Sequence, residues 1–137
     1  MADRELRVRA LPAERLTAWL SQVAPREPSV RIEPAMWLVF GACAAPPEDG
    51  IAVDMSDAYA AFSIEGAGAA DMLARGIALD LDRLAPDFAG RTRLGDVAVI
   101  LVRTAGGYVL RCERSYAEWL EAWLERARQI TISPAGI

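Results

Sequence analysis

The sequence predicts an α+β domain in which an antiparallel sheet is covered by two or three helices. Several short segments alternate apolar and polar residues, as strands with one buried face do. Glycine-containing pairs separate some of these segments at the spacing of hairpin turns. The segment from Arg114 to Arg128 has apolar residues at helical spacing instead. Because the chain has 137 residues, 53% of them hydrophobic, we expect one domain, residues 1–137, with a substantial core.

The first elements are predicted from proline placement and apolar spacing. Pro12 suits a first helical turn, and apolar residues recur at helical spacing until Pro25. We therefore expect a helix from about Pro12 to Val23. The run Met36–Phe40 is too short for a typical helix and favours a strand. The residues that predict the first helix are Leu16, Trp19, Leu20 and Val23.

The middle of the chain predicts two strands and a helix. Ile51 to Asp54 forms a brief strand, and Tyr59 to Glu65 a longer one with two alternating faces. Gly66-Ala-Gly68 then opens a helix, and Gly76 is placed as its left-handed end. One face of the longer strand holds Ala60, Phe62 and Ile64, the other Tyr59, Ala61 and Ser63, and the helix turns Ala69, Met72 and Leu73 inward.

The C-terminal third predicts a meander followed by a helix. Gly95-Asp96 turns Thr92–Leu94 back into Val97–Val102, and Gly106-Gly107 supplies positive backbone angles for a hairpin into Tyr108–Cys112. Ser115 and Glu118 have the spacing of a capping box at the start of the last helix. Its apolar stripe comprises Tyr116, Trp119, Leu120, Trp123, Leu124 and Ala127. We expect residues 1–11 and 130–137 to be flexible ends.

Composition excludes several classes of partner. A net charge of −4 and a pI near 4.9 disfavour nucleic acid and anionic membranes, which require surplus positive charge. Two cysteines do not make a disulfide framework, and there is neither a secretory signal nor an apolar run of membrane-spanning length. These observations favour a soluble cytoplasmic protein.

The sequence offers little catalytic chemistry. It contains no histidine, which excludes the common Ser-His and Cys-His nucleophile systems. Asp54 and Asp57 flank Ser56 and are more typical of a solvated turn than of an acid or cation site. Cys112 lies on an alternating strand, where thiols are usually buried and inert, and Gly66-Ala-Gly68 is only a weak anion-binding signal. We expect no metal at Asp80, Asp82 and Asp87, and we predict no catalytic, cofactor-binding or metal-binding residue.

Two groups of residues suggest binding rather than catalysis. Three tryptophans lie on apolar faces of predicted helices, which favours their burial in the core: Trp19, Trp119 and Trp123. Tryptophans are also common anchors of protein interfaces. The expected partner contacts are therefore Trp119, Trp123 and Trp37. A second hypothesis is a stand-alone module that binds folate or another small anion. Arginines in or beside the hairpins would then hold a carboxylate: Arg91, Arg93, Arg103 and Arg111.

Several segments, in order, resemble the gamma subunit of heterotetrameric sarcosine oxidase, which is itself similar to the folate-binding domain of the glycine cleavage T protein, a ferredoxin-like domain. They span roughly residues 32–128. They are Glu-Pro-Ala-Met-Trp-Leu-Val at 33–39, Val-Asp-Met-Ser at 53–56, Glu-Gly-Ala-Gly-Ala-Ala at 65–70, Leu-Ala-Arg-Gly at 73–76, Leu-Asp-Leu at 79–81, Thr-Arg-Leu at 92–94, Arg-Ser-Tyr at 114–116, Trp-Leu at 119–120 and Trp-Leu at 123–124.

The resemblance implies a noncatalytic subunit of a complex that oxidatively demethylates sarcosine or a related N-methyl amine. In that family the alpha subunit binds NAD and tetrahydrofolate, beta holds FAD and FMN, and delta binds zinc, while gamma packs mainly on alpha. The cofactors are thus expected in partner subunits and none in this chain. The catalytic aspartate of the T protein maps at or beside Ala98, and Asp96 belongs to the preceding turn, so no catalytic residue is carried over.

Overall fold

The computed structural model describes residues 6–20, 29–41 and 50–132. Within these ranges the chain forms two antiparallel sheets and two α-helices, so the predicted α+β class is confirmed. The strands are β1 (Arg7–Leu11), β2 (Leu16–Leu20), β3 (Ser29–Glu33), β4 (Met36–Phe40), β5 (Ala52–Asp54), β6 (Tyr59–Glu65), β7 (Ala89–Leu94), β8 (Val97–Thr104) and β9 (Gly107–Glu113). The helices are α1 (Ala69–Leu73) and α2 (Ala117–Ile132), and short 3-10 turns lie at Leu81–Arg83 and Arg114–Tyr116.

The larger sheet has the strand order β1-β6-β9-β8-β7. Successive side chains of its strands point to opposite faces of the sheet. One face carries the large apolar residues Phe62, Leu101 and Leu110, which pack against the two helices. Leu120 and Leu124 of α2 are fully buried there. Because burying a leucine side chain stabilises the fold by about 1.5–3 kcal/mol, this face forms the main core.

The smaller sheet has the order β3-β4-β2-β5 and covers the opposite face of the larger one. Leu16, Leu38 and Phe40 point inward and share a second apolar cluster with Ile100 of β8. The molecule therefore has three layers: helices, the five-stranded sheet and the four-stranded sheet.

The predicted helix from Pro12 to Val23 is wrong. Leu16–Leu20 is strand β2, which pairs with both β4 and β5, while residues 21–23 lie outside the described residues. Leu16 and Ala18 point inward and Trp19 lies on the other face, so the same apolar residues satisfy a period of two. Two neighbouring strands supply hydrogen-bond partners that a short local helix lacks.

Gly76 and Gly95 form a backbone bridge beneath helix α2. The Gly95 amide donates to the Gly76 carbonyl at 3.0 Å. Gly95 has the positive φ of 60° that its predicted turn requires. Gly76 does not have a positive φ, so its predicted left-handed stop is wrong; a Cβ there would lie 2.6 Å from Cζ2 of Trp123. Position 76 requires a glycine because the indole ring of Trp123 lies directly on it.

The hairpin between β8 and β9 also differs from its prediction. Its turn is formed by Ala105 and Gly106, and neither Gly106 nor Gly107 has a positive φ. A Cβ on Gly107 would lie 2.0 Å from the carbonyl oxygen of Ile64, whereas one on Gly106 would meet nothing within 4 Å. Close approach of strands β6 and β9, not turn geometry, therefore explains the second glycine.

Two further expectations change at the ends of elements. Residues 7–11, expected to be flexible, form β1 and pair along β6. Residues 130–132 belong to α2, and residues 133–137 lie outside the described residues. The helical segment begins with the 3-10 turn, whose capping position is Glu113, so Ser115 lies inside the turn and does not cap the helix. By contrast, Met36–Phe40 and Tyr59–Glu65 are confirmed as strands with the predicted bounds.

Candidate functional site

A group of polar residues converges between the two sheets. On the face of the larger sheet that meets the smaller one, Arg111 of β9 is level with Ile100 of β8, which is level with Arg91 of β7. Beside this row is a cavity of about 220 Å³, which we call the intersheet cleft. The cleft is lined by Ile32, Glu33, Tyr59, Arg91, Ala98, Val99, Ile100, Arg111 and Glu113.

Arg111 is the most buried charged residue of the described chain, with 5% of its surface exposed. Its Nε and Nη2 both donate to Oε1 of Glu14, at 2.7 and 2.5 Å, and its Cζ lies 4.0 Å from the centre of the Phe40 ring. Burial lowers the pKa of Arg111 and the carboxylate of Glu14 opposes that change, so the guanidinium stays charged. This pair fixes the guanidinium between the sheets.

One nitrogen of Arg111 is left without a partner. Nη1 is buried and makes no hydrogen bond to any residue that the structure describes. Nε and Nη2 share one edge of the planar group, and both engage Glu14. Nη1 therefore lies on the side away from Glu14, a residue that does not line the intersheet cleft.

The pKa of the Tyr59 phenol responds to the charges around the cleft. Burial raises its pKa, the nearby carboxylate of Glu113 raises it further, and the positive charge of Arg91 lowers it. Arg91 itself is exposed and makes no ion pair with another described residue. The cleft thus brings two cations and two carboxylates, those of Glu33 and Glu113, around one phenol.

A second hollow, of about 260 Å³, lies on the other side of Arg111. Glu14 and Ser56 line it, together with the first residues of helix α2. The Ser56 hydroxyl donates to Oδ1 of Asp54 at 2.5 Å and accepts the Leu16 amide at 3.1 Å. Hydrogen bonds from Ser56 lower the pKa of Asp54. Asp54 therefore stabilises a turn, as the sequence favoured, and this turn ties β5 to β2.

The four arginines proposed to hold an anion are not brought together. Arg93 donates from Nη2 to the Asp96 carbonyl at 2.5 Å, and Arg103 donates to the Leu84 carbonyl. Both fasten nearby loops. Arg91 and Arg111 alone among the four line the intersheet cleft.

Cys112 and the acidic loop residues show no arrangement for catalysis or metal binding. Cys112 is 1% exposed, and burial raises its pKa to about 11, so the thiol stays protonated at neutral pH. Among the described residues, no group of three or more His, Cys, Asp or Glu side chains could hold a metal ion. Asp80 instead forms an exposed ion pair with Arg83 at 3.2 Å.

The three tryptophans suggested as partner contacts do not share one surface. Trp119 of α2 is 40% exposed, whereas Trp123 is half-buried against Gly76. Trp37 lies on the outer face of the smaller sheet, 5.8 Å from the guanidinium carbon of Arg31. The helix layer and the smaller sheet are opposite sides of the molecule, so one flat partner cannot cover all three.

Two tryptophan assignments to the core need revision. Trp119 does not belong to the core, since two fifths of it is exposed. Trp19 is buried as expected, but on strand β2 and not on a helix. No local pattern marks either difference, because both depend on packing between distant elements.

Sequence reasoning missed Glu14 and Phe40 as partners of Arg111. Glu14 lies 97 residues before Arg111, inside the helix predicted from about Pro12 to Val23, and Phe40 is the last residue of a predicted strand. The available signal is an arginine at an alternating strand position, which indicates an inward-facing charge.

Comparisons with known proteins give matches among solved structures. No protein-family model and no curated protein sequence matches the chain. A chain in the structure of heterotetrameric sarcosine oxidase from Corynebacterium sp. U-96, in complex with pyrrole 2-carboxylate, matches with a TM-score of 0.81 and 16% identity. The chain has the fold of a sarcosine oxidase chain. The match covers 96% of this chain and 87% of the other, so the two share a whole fold of nearly the same length.

The resemblance read from the sequence segments is thus confirmed at the level of the fold. Ala98, at or beside which this resemblance predicts the position of the catalytic aspartate of the T protein, lines the intersheet cleft. Within the described residues, no helix is long and apolar enough to cross a membrane.

Proposed function

We propose that this chain is a noncatalytic subunit of a heterotetrameric flavin-dependent oxidase for sarcosine or another N-methyl amine. The observation that carries the proposal is the match over nearly the full length of both chains to one chain of a heterotetramer. A shared local motif would not extend over 96% of the sequence. In this proposal the chain docks on the large subunit that binds folate and NAD, in the cytoplasm.

The chemistry of the chain supports a noncatalytic role. The sequence has no histidine, the buried thiol of Cys112 has a raised pKa, and the cleft position at Ala98 carries no carboxylate. We therefore assign FAD, FMN, NAD, tetrahydrofolate and zinc to the partner subunits. The purified chain alone is expected to show no oxidation of sarcosine with an added electron acceptor.

Purification of the tagged chain from its native host tests the proposal. The expected result is a complex that contains flavin, visible by its absorbance, and that oxidises an N-methyl amine. Recovery of the chain as a clean monomer, with no flavoprotein bound, would contradict the proposal.

The docking face is assigned to helix α2 around Trp119. A tryptophan that leaves 40% of its surface exposed in the free chain has area to bury against a partner, and tryptophan is a typical interface anchor. Trp119→Ala should therefore lower complex recovery by more than its effect on the melting temperature of the free chain explains. Trp37→Ala, on the opposite layer, is the matched control. If Trp37→Ala releases the partner and Trp119→Ala does not, the docking face is the smaller sheet.

The alternative of a folate-binding module has less support from the cavities. Pockets for drug-sized ligands usually have volumes of about 300–1,000 Å³, and the two hollows beside Arg111 measure about 260 and 220 Å³. A thermal-shift measurement with folates tests this alternative, and a flat response across folates and nucleotides would count against it.

A further inference from the structure

We propose that the intersheet cleft binds a small zwitterion, a molecule that carries both a carboxylate and an ammonium group. The carboxylate would face Arg91 and Nη1 of Arg111, and the ammonium group would face Glu113 and Glu33. The inference does not depend on the proposed function, because every residue of the site belongs to this chain.

The unpartnered nitrogen of Arg111 is the first argument. Buried donors in folded proteins almost always have an acceptor, and leaving one unsatisfied costs about 1–3 kcal/mol. Nη1 is enclosed by protein, so its acceptor must lie inside the molecule, on the side away from Glu14. Phe40 and Glu14 hold the guanidinium in place, so an acceptor reaches Nη1 by displacing the side chains that enclose it and not by moving Arg111 itself.

Arg91 is the second argument. It lies in the same row of the sheet as Arg111, with Ile100 between them, and it forms no ion pair with another described residue. Two arginines on either side of an apolar floor are suited to one carboxylate, which can accept from both. Arg93, two residues away on the same strand, is already bonded to the Asp96 carbonyl and does not line the cleft.

The two glutamates decide between an anion and a zwitterion. Glu33 and Glu113 line the same cleft, and neither forms an ion pair within the described residues. Together with Glu14, which is paired with Arg111, they outnumber the two arginines, so a simple anion gains little from the site as a whole. A ligand with separated charges can place its cation near the glutamates and its anion near the arginines. The volume of about 220 Å³ limits the ligand to a small molecule.

Three probes of similar shape test the charge requirement. Alanine carries both groups, propionate lacks the amine, and ethylamine lacks the carboxylate. We expect alanine to shift the NMR methyl signals of Ala98 and Ile100, but not those of Leu110 on the opposite face of the sheet. Propionate and ethylamine should bind at least about tenfold more weakly, because each loses one set of charge-assisted contacts.

Two outcomes of the probe series would overturn the proposal. The first is equal binding of propionate and alanine, which would show that the amine is not recognised. The second is an absence of methyl shifts up to about 0.1 M alanine, a concentration that would saturate a site with a Kd of about 10 mM.

Variants locate the site. Arg91→Met removes one carboxylate contact from an exposed position, so the fold should survive and alanine binding should fall at least about tenfold. Arg93→Met makes the same charge change on the same strand and should alter binding less than about twofold. Equal losses in the two variants would exclude the cleft as the site. Arg111→Met leaves Glu14 without its partner and can destabilise the fold, so the test relies on Arg91→Met.

Discussion

Adjacent glycines in the β8–β9 hairpin are expected to respond very differently to the same added methyl group. In Gly107→Ala the new Cβ would lie 2.0 Å from the Ile64 carbonyl oxygen, about 1 Å inside the 3.0 Å limit that real Cβ atoms respect. That oxygen belongs to the backbone of β6 and cannot rotate away. In Gly106→Ala the methyl group meets nothing within 4 Å, and the residue does not have a positive φ.

The cost of Gly107→Ala can be estimated from what must move. Relieving the contact separates the end of β9 from β6, where Gly107 is paired with Glu65. Overpacking costs about 1–3 kcal/mol, and each backbone hydrogen bond lost adds about 1 kcal/mol. We therefore expect a loss of about 2–5 kcal/mol, or roughly 8–20 °C in Tm for a domain of this size. Gly106→Ala should stay within about 1 kcal/mol of the parent and can be slightly stabilising, since alanine restricts the unfolded chain.

Thermal and urea unfolding followed by circular dichroism measure both variants under identical conditions. The comparison within one turn cancels differences in expression and in the unfolded state of the surrounding sequence. If Gly107→Ala melted within about 2 °C of Gly106→Ala, the close approach of β6 and β9 would be refuted as the reason for the second glycine.

Three further predictions concern single groups. In a Cys43→Ser background, Cys112 should react with a disulfide reagent at pH 8 only on unfolding, since its pKa is about 11 and its side chain is buried; fast reaction of the folded protein would contradict this. The hydroxyl of Ser63 lowers the pKa of Glu65, so the interaction stabilises the fold above the unfolded pKa and is lost as the pH falls through the folded pKa. In Ser63→Ala the free energy of unfolding should therefore fall less steeply below about pH 5. An unchanged pH dependence of stability in that range would contradict this effect of Ser63. Gly76→Ala, by pushing on the indole ring that covers it, should cost about 1–3 kcal/mol in urea unfolding, and a neutral result would show that α2 can move aside.

The sequence predicted the parts of the fold whose signals are local. Strands β6, β8 and β9 alternate clearly and are joined by short connections or a helix, so the larger sheet could be anticipated. The smaller sheet could not, because Leu16–Leu20 fits both a helical and a strand period, and its partners β4 and β5 decide the outcome. Tertiary pairing overrode local preference there.

The candidate site was only partly predictable for the same reason. Arg91 and Arg111 were selected as possible anion ligands from their place in the hairpins, and both line the cleft. Arg103 was selected on equal grounds, yet its side chain donates a hydrogen bond to the Leu84 carbonyl. Which arginine faces a cavity depends on the layer that covers the sheet, and that layer comes from a distant part of the chain.

The strand order of the larger sheet has a consequence for synthesis on the ribosome. Strand β6 lies between β1, which is made before it, and β9, which is made about 50 residues later. At about 5–20 residues per second, the unpaired backbone edge of β6 waits roughly 2–10 s for its second neighbour. During that interval an unpaired edge invites association with other nascent chains. Translation speed through residues 66–106, and the presence of a chaperone at that moment, should therefore influence the yield of folded protein more than the stability of the finished fold does.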